Sequence, residues 1–141
     1  MFQLVYVSSS VKPFSNEELL QLLVKARQNN EKLGISGMLL YKDGDFMQAL
    51  EGDEAKVRSL SAKIATDPRH KVVYTVLQGP CAEREFPDWS MGFRDLSLVD
   101  PREVPGYSTF LDSPLRAAAF KESAAACRKL LLLFKNMPQT V

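Results

Sequence analysis

Over the first residues the chain alternates. Phe2, Leu4 and Tyr6 fall on one face and Val5 and Val7 on the other, the period of a half-buried strand. The period then lengthens. Ser15-Asn16-Glu17-Glu18 has the S-x-x-E form of a capping box, and Leu19, Leu22, Leu23 and Ala26 follow at helical spacing. One further turn of that stripe reaches Asn30, and Gly34 supplies the stop. Ile35 to Tyr41 reads as a second strand, Lys42-Asp43-Gly44-Asp45 as a tight turn, and Phe46 to Gly52 as the strand that returns beside it. Gly52-Asp53 ends that strand and caps a second helix with Val57, Leu60 and Ile64 inward, which Asp67-Pro68 terminates. Lys71 to Leu77 forms a fourth strand and Trp89 to Phe93 a short fifth.

The order β-α-β-β-α-β predicts an α+β, ferredoxin-like βαββαβ(β) sheet with both helices on one face. That topology inserts the first strand beside the third, so Tyr6 and Gln48 stand on neighbouring central strands and both can face the helices. Beyond this unit, Arg94 to Ser113 reads as an irregular connector carrying Pro101, Pro105 and Gly106. Ser113-Pro114 then opens a C-terminal amphipathic helix of about 20 residues, reaching Lys135. Its apolar stripe of Phe120, Ala124, Cys127, Leu131 and Phe134 needs a surface to cover, and the open face of the sheet is the expected one.

Three polar residues interrupt apolar stripes: Tyr6, Asn30 and Gln48. Gln48 lies between Phe46 and Leu50 on one strand face, where an unpaired amide costs about 1–3 kcal/mol, so it needs a polar partner from elsewhere. Each of the three could be a satisfied core group taken singly. A second polar group, Lys63-Ile64-Ala65-Thr66-Asp67-Pro68-Arg69-His70, is either a solvated helix end complementing the dipole or the mouth of a cleft between the helices. Such a cleft would take a planar aromatic ligand, with Leu22 and Ile64 against its faces and Asn30 and Lys63 at its edges.

Composition narrows the chemistry further. The chain has 141 residues, with 18 Lys and Arg against 17 Asp and Glu and a net charge of +1, and lacks the basic block expected of a nucleic-acid partner. Its two cysteines, Cys81 and Cys127, form no CxxC and have no companion histidine pattern, so no metal site is expected and the thiols read as reduced. His70 is the single histidine, and G-x-S-x-G, P-loop and G-x-G-x-x-G motifs are absent, so an enzyme is not expected. No stretch reaches the roughly 20 uncharged residues that span a bilayer, and the reading is a cytoplasmic protein without a membrane partner.

Five ordered motifs resemble those of the BLUF domains, sensors of blue light using FAD. Leu4-Val5-Tyr6-Val7-Ser8-Ser9 resembles the family's first strand with its tyrosine. Asn29-Asn30 and then Gly34-Ile35-Ser36-Gly37-Met38-Leu39-Leu40-Tyr41 resemble its asparagine and G-I-T-G-x-L-x-Y signature, with Ser36 in place of the usual threonine. Phe46-Met47-Gln48-Ala49-Leu50-Glu51-Gly52 is similar to its F-x-Q-x-L-E-G strand, and Asp67-Pro68-Arg69-His70 and Phe86-Pro87-Asp88-Trp89-Ser90-Met91 to the remaining two. The resemblance implies a photosensor domain over residues 1–96, followed by a connector and helical extension over 97–141.

It further implies a non-covalent flavin between the helices: FAD, with FMN or riboflavin possible. The residues implied at the flavin are Tyr6, Leu22, Asn29, Asn30, Gln48, Lys63, Ile64, Asp67, Arg69 and His70. Lys63 stands where some relatives have arginine, which keeps the charge and loses the planar fork. The implied photochemistry is light-driven electron and proton transfer from Tyr6 and rearrangement of Gln48, with Trp89 or Met91 beside that glutamine. Output would pass to a downstream signalling protein, with the chain assembled as a homo-oligomer. The competing expectations are a non-photochemical ferredoxin-like ligand-binding or regulatory module, which would be colourless, and a flavin-dependent oxidoreductase, for which no nicotinamide site is visible.

Overall fold

The structure is a computed structural model, and it describes residues 1–87, 90–96 and 131–132. The elements run β1 (Phe2–Ser10), α1 (Asn16–Leu33), β2 (Ser36–Lys42), β3 (Asp45–Gly52), α2 (Glu54–Ala65), β4 (His70–Pro80) and β5 (Gly92–Asp95). They form one five-stranded sheet in the order β4-β1-β3-β2-β5. β1 is antiparallel to both β3 and β4, β2 and β3 make a hairpin, and β5 joins β2 in parallel. This is the expected ferredoxin-like arrangement with one strand added.

Local chemistry accounts for the element ends. The Ser15 hydroxyl accepts from the Glu18 amide while the Glu18 carboxylate accepts from the Ser15 amide, so the capping box forms. Gly34 closes α1 in the left-handed region at φ 67°. The Asp53 carboxylate accepts from the Lys56 amide and starts α2. Asp43 and Gly44 both have positive φ, 49° and 92°, as the two-residue hairpin turn between β2 and β3 requires.

One face of the sheet packs against both helices. Phe2, Leu4, Tyr6, Leu39, Tyr41, Phe46 and Leu50 join Leu19 and Leu23 of α1 and Val57 of α2 in one buried cluster. On the other face Val7, Leu40, Met47 and Ala49 are fully buried as well. The predicted C-terminal helix and its connector lie outside the described residues, apart from Leu131 and Leu132. These two are helical, and Leu131 is buried.

Two strands differ from expectation. β4 runs from His70 to Pro80 because it pairs along the whole of β1, with two register shifts, between Val5 and Tyr6 and between Ser9 and Ser10. The shift at Lys71 pairs Ser10 with His70 where strict alternation would have turned that histidine to the opposite face. β5 begins at Gly92 where Trp89 was expected. The carbonyls of Ser90 and Met91 accept instead from the side chains of Asn30 and Arg27, at 2.9 Å in each case. Trp89 lies outside the described residues.

Candidate functional site

The topology sets Tyr6 directly opposite Gln48 across the β1–β3 pair. Both side chains are buried, and the Tyr6 hydroxyl donates to Gln48 Oε1. The other end of the amide, Nε2, donates to the thioether sulfur of Met91 at 3.3 Å. Gln48 therefore has a partner at each end. The thioether favours this orientation, because sulfur there accepts and cannot donate: turning the amide over would leave Oε1 against a group with no proton to offer. Burial raises the pKa of the Tyr6 phenol well above its ordinary value, and the negative charge of Asp67 adds to the effect.

Above this pair α1 and α2 leave a cleft of about 880 Å³, counting its open mouth. Every residue that the sequence placed at a flavin lines it: Tyr6, Gln48, Leu22, Asn29, Asn30, Lys63, Ile64, Asp67, Arg69 and His70. Sequence reasoning did not assign Lys25, Ala26, Leu39, Phe46 and Leu60 to the wall. Ala26 and Leu60 were legible as members of inward stripes. Lys25 precedes Asn29 by one turn of α1, a spacing that would have placed it at the same opening.

Around the Tyr6–Gln48 pair the floor is apolar, and the mouth is charged. Phe46 meets the His70 ring edge-on, with centroids 5.5 Å apart. Arg69 grips the Asp67 carboxylate through Nε and Nη2, the latter at 2.7 Å, and its amide donates to the same group. Chiefly through that side-chain contact, the Asp67 carboxyl is held down at about 2. Desolvation lowers the His70 pKa against the pull of Asp67, and Nδ1 of the same ring is buried without a hydrogen-bond partner. Asn30 is buried on the stripe of α1, with Nδ2 committed to the Ser90 carbonyl.

The far end of the sheet is closed by a separate polar cluster. Glu51, fully buried on β3, accepts from Gln3 Nε2 at 3.0 Å and from the amides of Glu85 and Phe86 at 2.8 Å. Arg84 donates to the Gly34 and Glu51 carbonyls and to the Ser36 hydroxyl. Ser36 thus has a hydrogen-bonding role without touching the cleft. Among the described residues no group of three or more His, Cys, Asp or Glu could hold a metal ion.

A ferredoxin-like sheet with a cleft under two helices, apolar-walled and with a buried phenol–amide pair at its base, defines a small-molecule sensor or binding domain, and comparison with known proteins identifies which. The family model for sensors of blue light using FAD matches residues 1–92, and the chain belongs to this BLUF family. The photoactivated adenylate cyclase subunit alpha of Euglena gracilis is 33% identical over 138 residues, covering 95% of this chain and 13% of that protein. The chain spans only about a tenth of the length of the curated relatives it matches. Among solved structures, the ground state of BlsA is 28% identical with a TM-score of 0.76, covering 99% of this chain and 91% of that one. BlrP1 of Klebsiella pneumoniae, in complex with FMN and cyclic diGMP, is 34% identical with a TM-score of 0.66, covering 70% and 26%. The chain is thus a blue-light flavin sensor by family.

Proposed function

We propose that the cleft between α1 and α2 holds the isoalloxazine ring of FAD, and that residues 1–96 form the photosensor domain. The observation that carries this is the pair Tyr6–Gln48 on the cleft floor, a phenol and an amide buried in contact and open to a ligand above them, with Met91 behind the amide. The residues fit a flavin: Leu22, Ala26, Leu60 and Ile64 supply apolar walls, Asn29, Asn30 and Gln48 supply amides for a polar ring edge, and His70 Nδ1 needs a partner. Lys25, Lys63 and Arg69 suit the phosphate-bearing end of FAD or FMN at the mouth. FMN is supported by the BlrP1 relative, and riboflavin would lack the phosphate those cations favour.

When bound, the flavin supplies blue-light absorption and, once excited, an acceptor for one electron and one proton. Tyr6 is the donor of both. Its raised pKa keeps the proton on the phenol in the dark, and loss of an electron would make the same hydroxyl strongly acidic toward Gln48 Oε1, with Gln48 Nε2 giving up a proton in turn so that the amide stays neutral. Return of the electron and proton to Tyr6 leaves Gln48 free to settle with its donor and acceptor ends exchanged, by rotation or by tautomerisation. A changed donor at the ring edge reads out as a red shift in absorption. Met91 Sδ, an acceptor only, favours the starting arrangement and so drives recovery in the dark.

The chain then acts as a cytoplasmic light switch with no catalytic step of its own, signalling to a partner protein from a homo-oligomer. Relatives named as photoactivated adenylate cyclases support the coupling of such a sensor to a separate effector. A light-minus-dark spectrum of the FAD-loaded protein tests the reading and should show the red shift. Tyr6→Phe and Gln48→Leu should each bind FAD and lose the shift; a normal shift in Gln48→Leu would overturn the assignment. A pull-down compared in light and darkness tests the output, and equal recovery of bound proteins in both would refute it.

A further inference from the structure

Met91 is held from two sides. Its sulfur accepts from Gln48, while its main-chain carbonyl accepts from Arg27 Nε of α1 at 2.9 Å. Met91 precedes β5, whose pairing with β2 starts at Gly92, so the sheet ladder does not align its carbonyl. The neighbouring Ser90 carbonyl is taken by Asn30, three residues after Arg27 on the same face of the helix. Asn30 lines the cleft, and Arg27 does not. The guanidinium is half-buried, and a charge-assisted bond to a main-chain carbonyl is stronger and more directional than a neutral one.

We propose that Arg27 is a positioning residue for the photocycle: it fixes the Met91 backbone so that the thioether stays on Gln48 Nε2, and so sets how strongly the dark arrangement of the amide is preferred. The inference rests on the reading of Tyr6, Gln48 and Met91 given above. It adds a structural path from the Gln48 switch to the surface of α1. Movement of the Met91 sulfur is passed through one residue to a helix side chain outside the flavin cleft.

The experiment uses the full chain loaded with FAD and compares Arg27→Gln, Arg27→Lys, Met91→Leu and the double variant Arg27→Gln/Met91→Leu. Affinity for FAD and the dark spectrum should match the unaltered protein in both Arg27 variants. Thermal recovery of the lit state in Arg27→Gln should change by at least about threefold, in the same direction as in Met91→Leu, and the double variant should change no further than Met91→Leu alone, the signature of two residues acting through one contact. Arg27→Lys, which keeps a charged donor, should fall between. Unaltered recovery in Arg27→Gln, with or without a lowered melting temperature, would overturn the proposal, as would effects that multiply in the double variant. If Arg27→Gln does not fold, Arg27→Lys alone and combined with Met91→Leu gives the same decision. Failure of the underlying reading looks different: no red shift in the unaltered protein, or a normal one in Gln48→Leu.

Discussion

At the scale of single residues the site joins buried polar groups with specified partners, Tyr6, Gln48 and Asn30, to His70, whose Nδ1 has none. Gln48 illustrates how far sequence reasoning reaches. Its position between Phe46 and Leu50 required a polar partner, and strand order supplied Tyr6, while nothing in the spacing of Trp89 and Met91 showed which of them meets the amide. The contact belongs to Met91, which is not in a strand but held ahead of one by Arg27 and Asn30. His70 carries a prediction of its own. Desolvation holds its folded-state pKa below the ordinary 6.5, so the unfolded chain binds the proton more readily. Stability therefore rises with pH through that interval and is lost as pH falls below 6.5. His70→Gln should remove this component: between about pH 7.5 and 5, the melting temperature of the unaltered protein should fall further than that of the variant. Equal falls would show that the buried imidazole is not responsible.

At the scale of elements, β2 and β3 form the floor that carries Leu39, Phe46 and Gln48, and their spacing depends on Gly37. A Cβ at that position would lie 1.9 Å from the Ala49 carbonyl oxygen, a backbone atom that cannot swing aside. Gly37→Ala should destabilise the fold by an amount at the upper end of the ~1–3 kcal/mol typical of overpacking, measured as a lower midpoint in urea denaturation. A midpoint unchanged from the unaltered protein would mean that the hairpin separates at no cost. The glycine was legible as part of a motif. Its steric reason was not, since a residue's cross-strand neighbour depends on register.

At the scale of the whole molecule, α1 and α2 share the sheet's face with a cleft between them, and the proposed ligand would bridge the two helices. Binding to the folded chain alone stabilises it by mass action, about 2.7 kcal/mol when free flavin is a hundredfold above Kd. Removing FAD should lower the melting temperature, and restoring it should raise the temperature progressively with concentration. FMN should give a similar rise and riboflavin a smaller one if Lys25, Lys63 and Arg69 act on the phosphate. Equal shifts for all three flavins would place those cations outside the binding energy. No helix among the described residues is long and apolar enough to cross a membrane.

The amino-acid sequence by itself determined the element order, the caps of both helices, the hairpin turn and the strand pair that joins Tyr6 to Gln48. These follow from local periodicity, from turn chemistry and from a topology with few alternatives. It also marked Tyr6, Asn30 and Gln48, because polar groups on apolar stripes need a reason, while the flavin and the rest of its expected contacts came from the resemblance to the BLUF family. The tertiary structure alone decided which side chains surround Gln48 and face the cleft. The bulge that turns His70 to the cleft, the thioether on Gln48 and the guanidinium behind Met91 all depend on where distant segments meet, and on hydrogen bonds that close only once the sheet and α1 are in register.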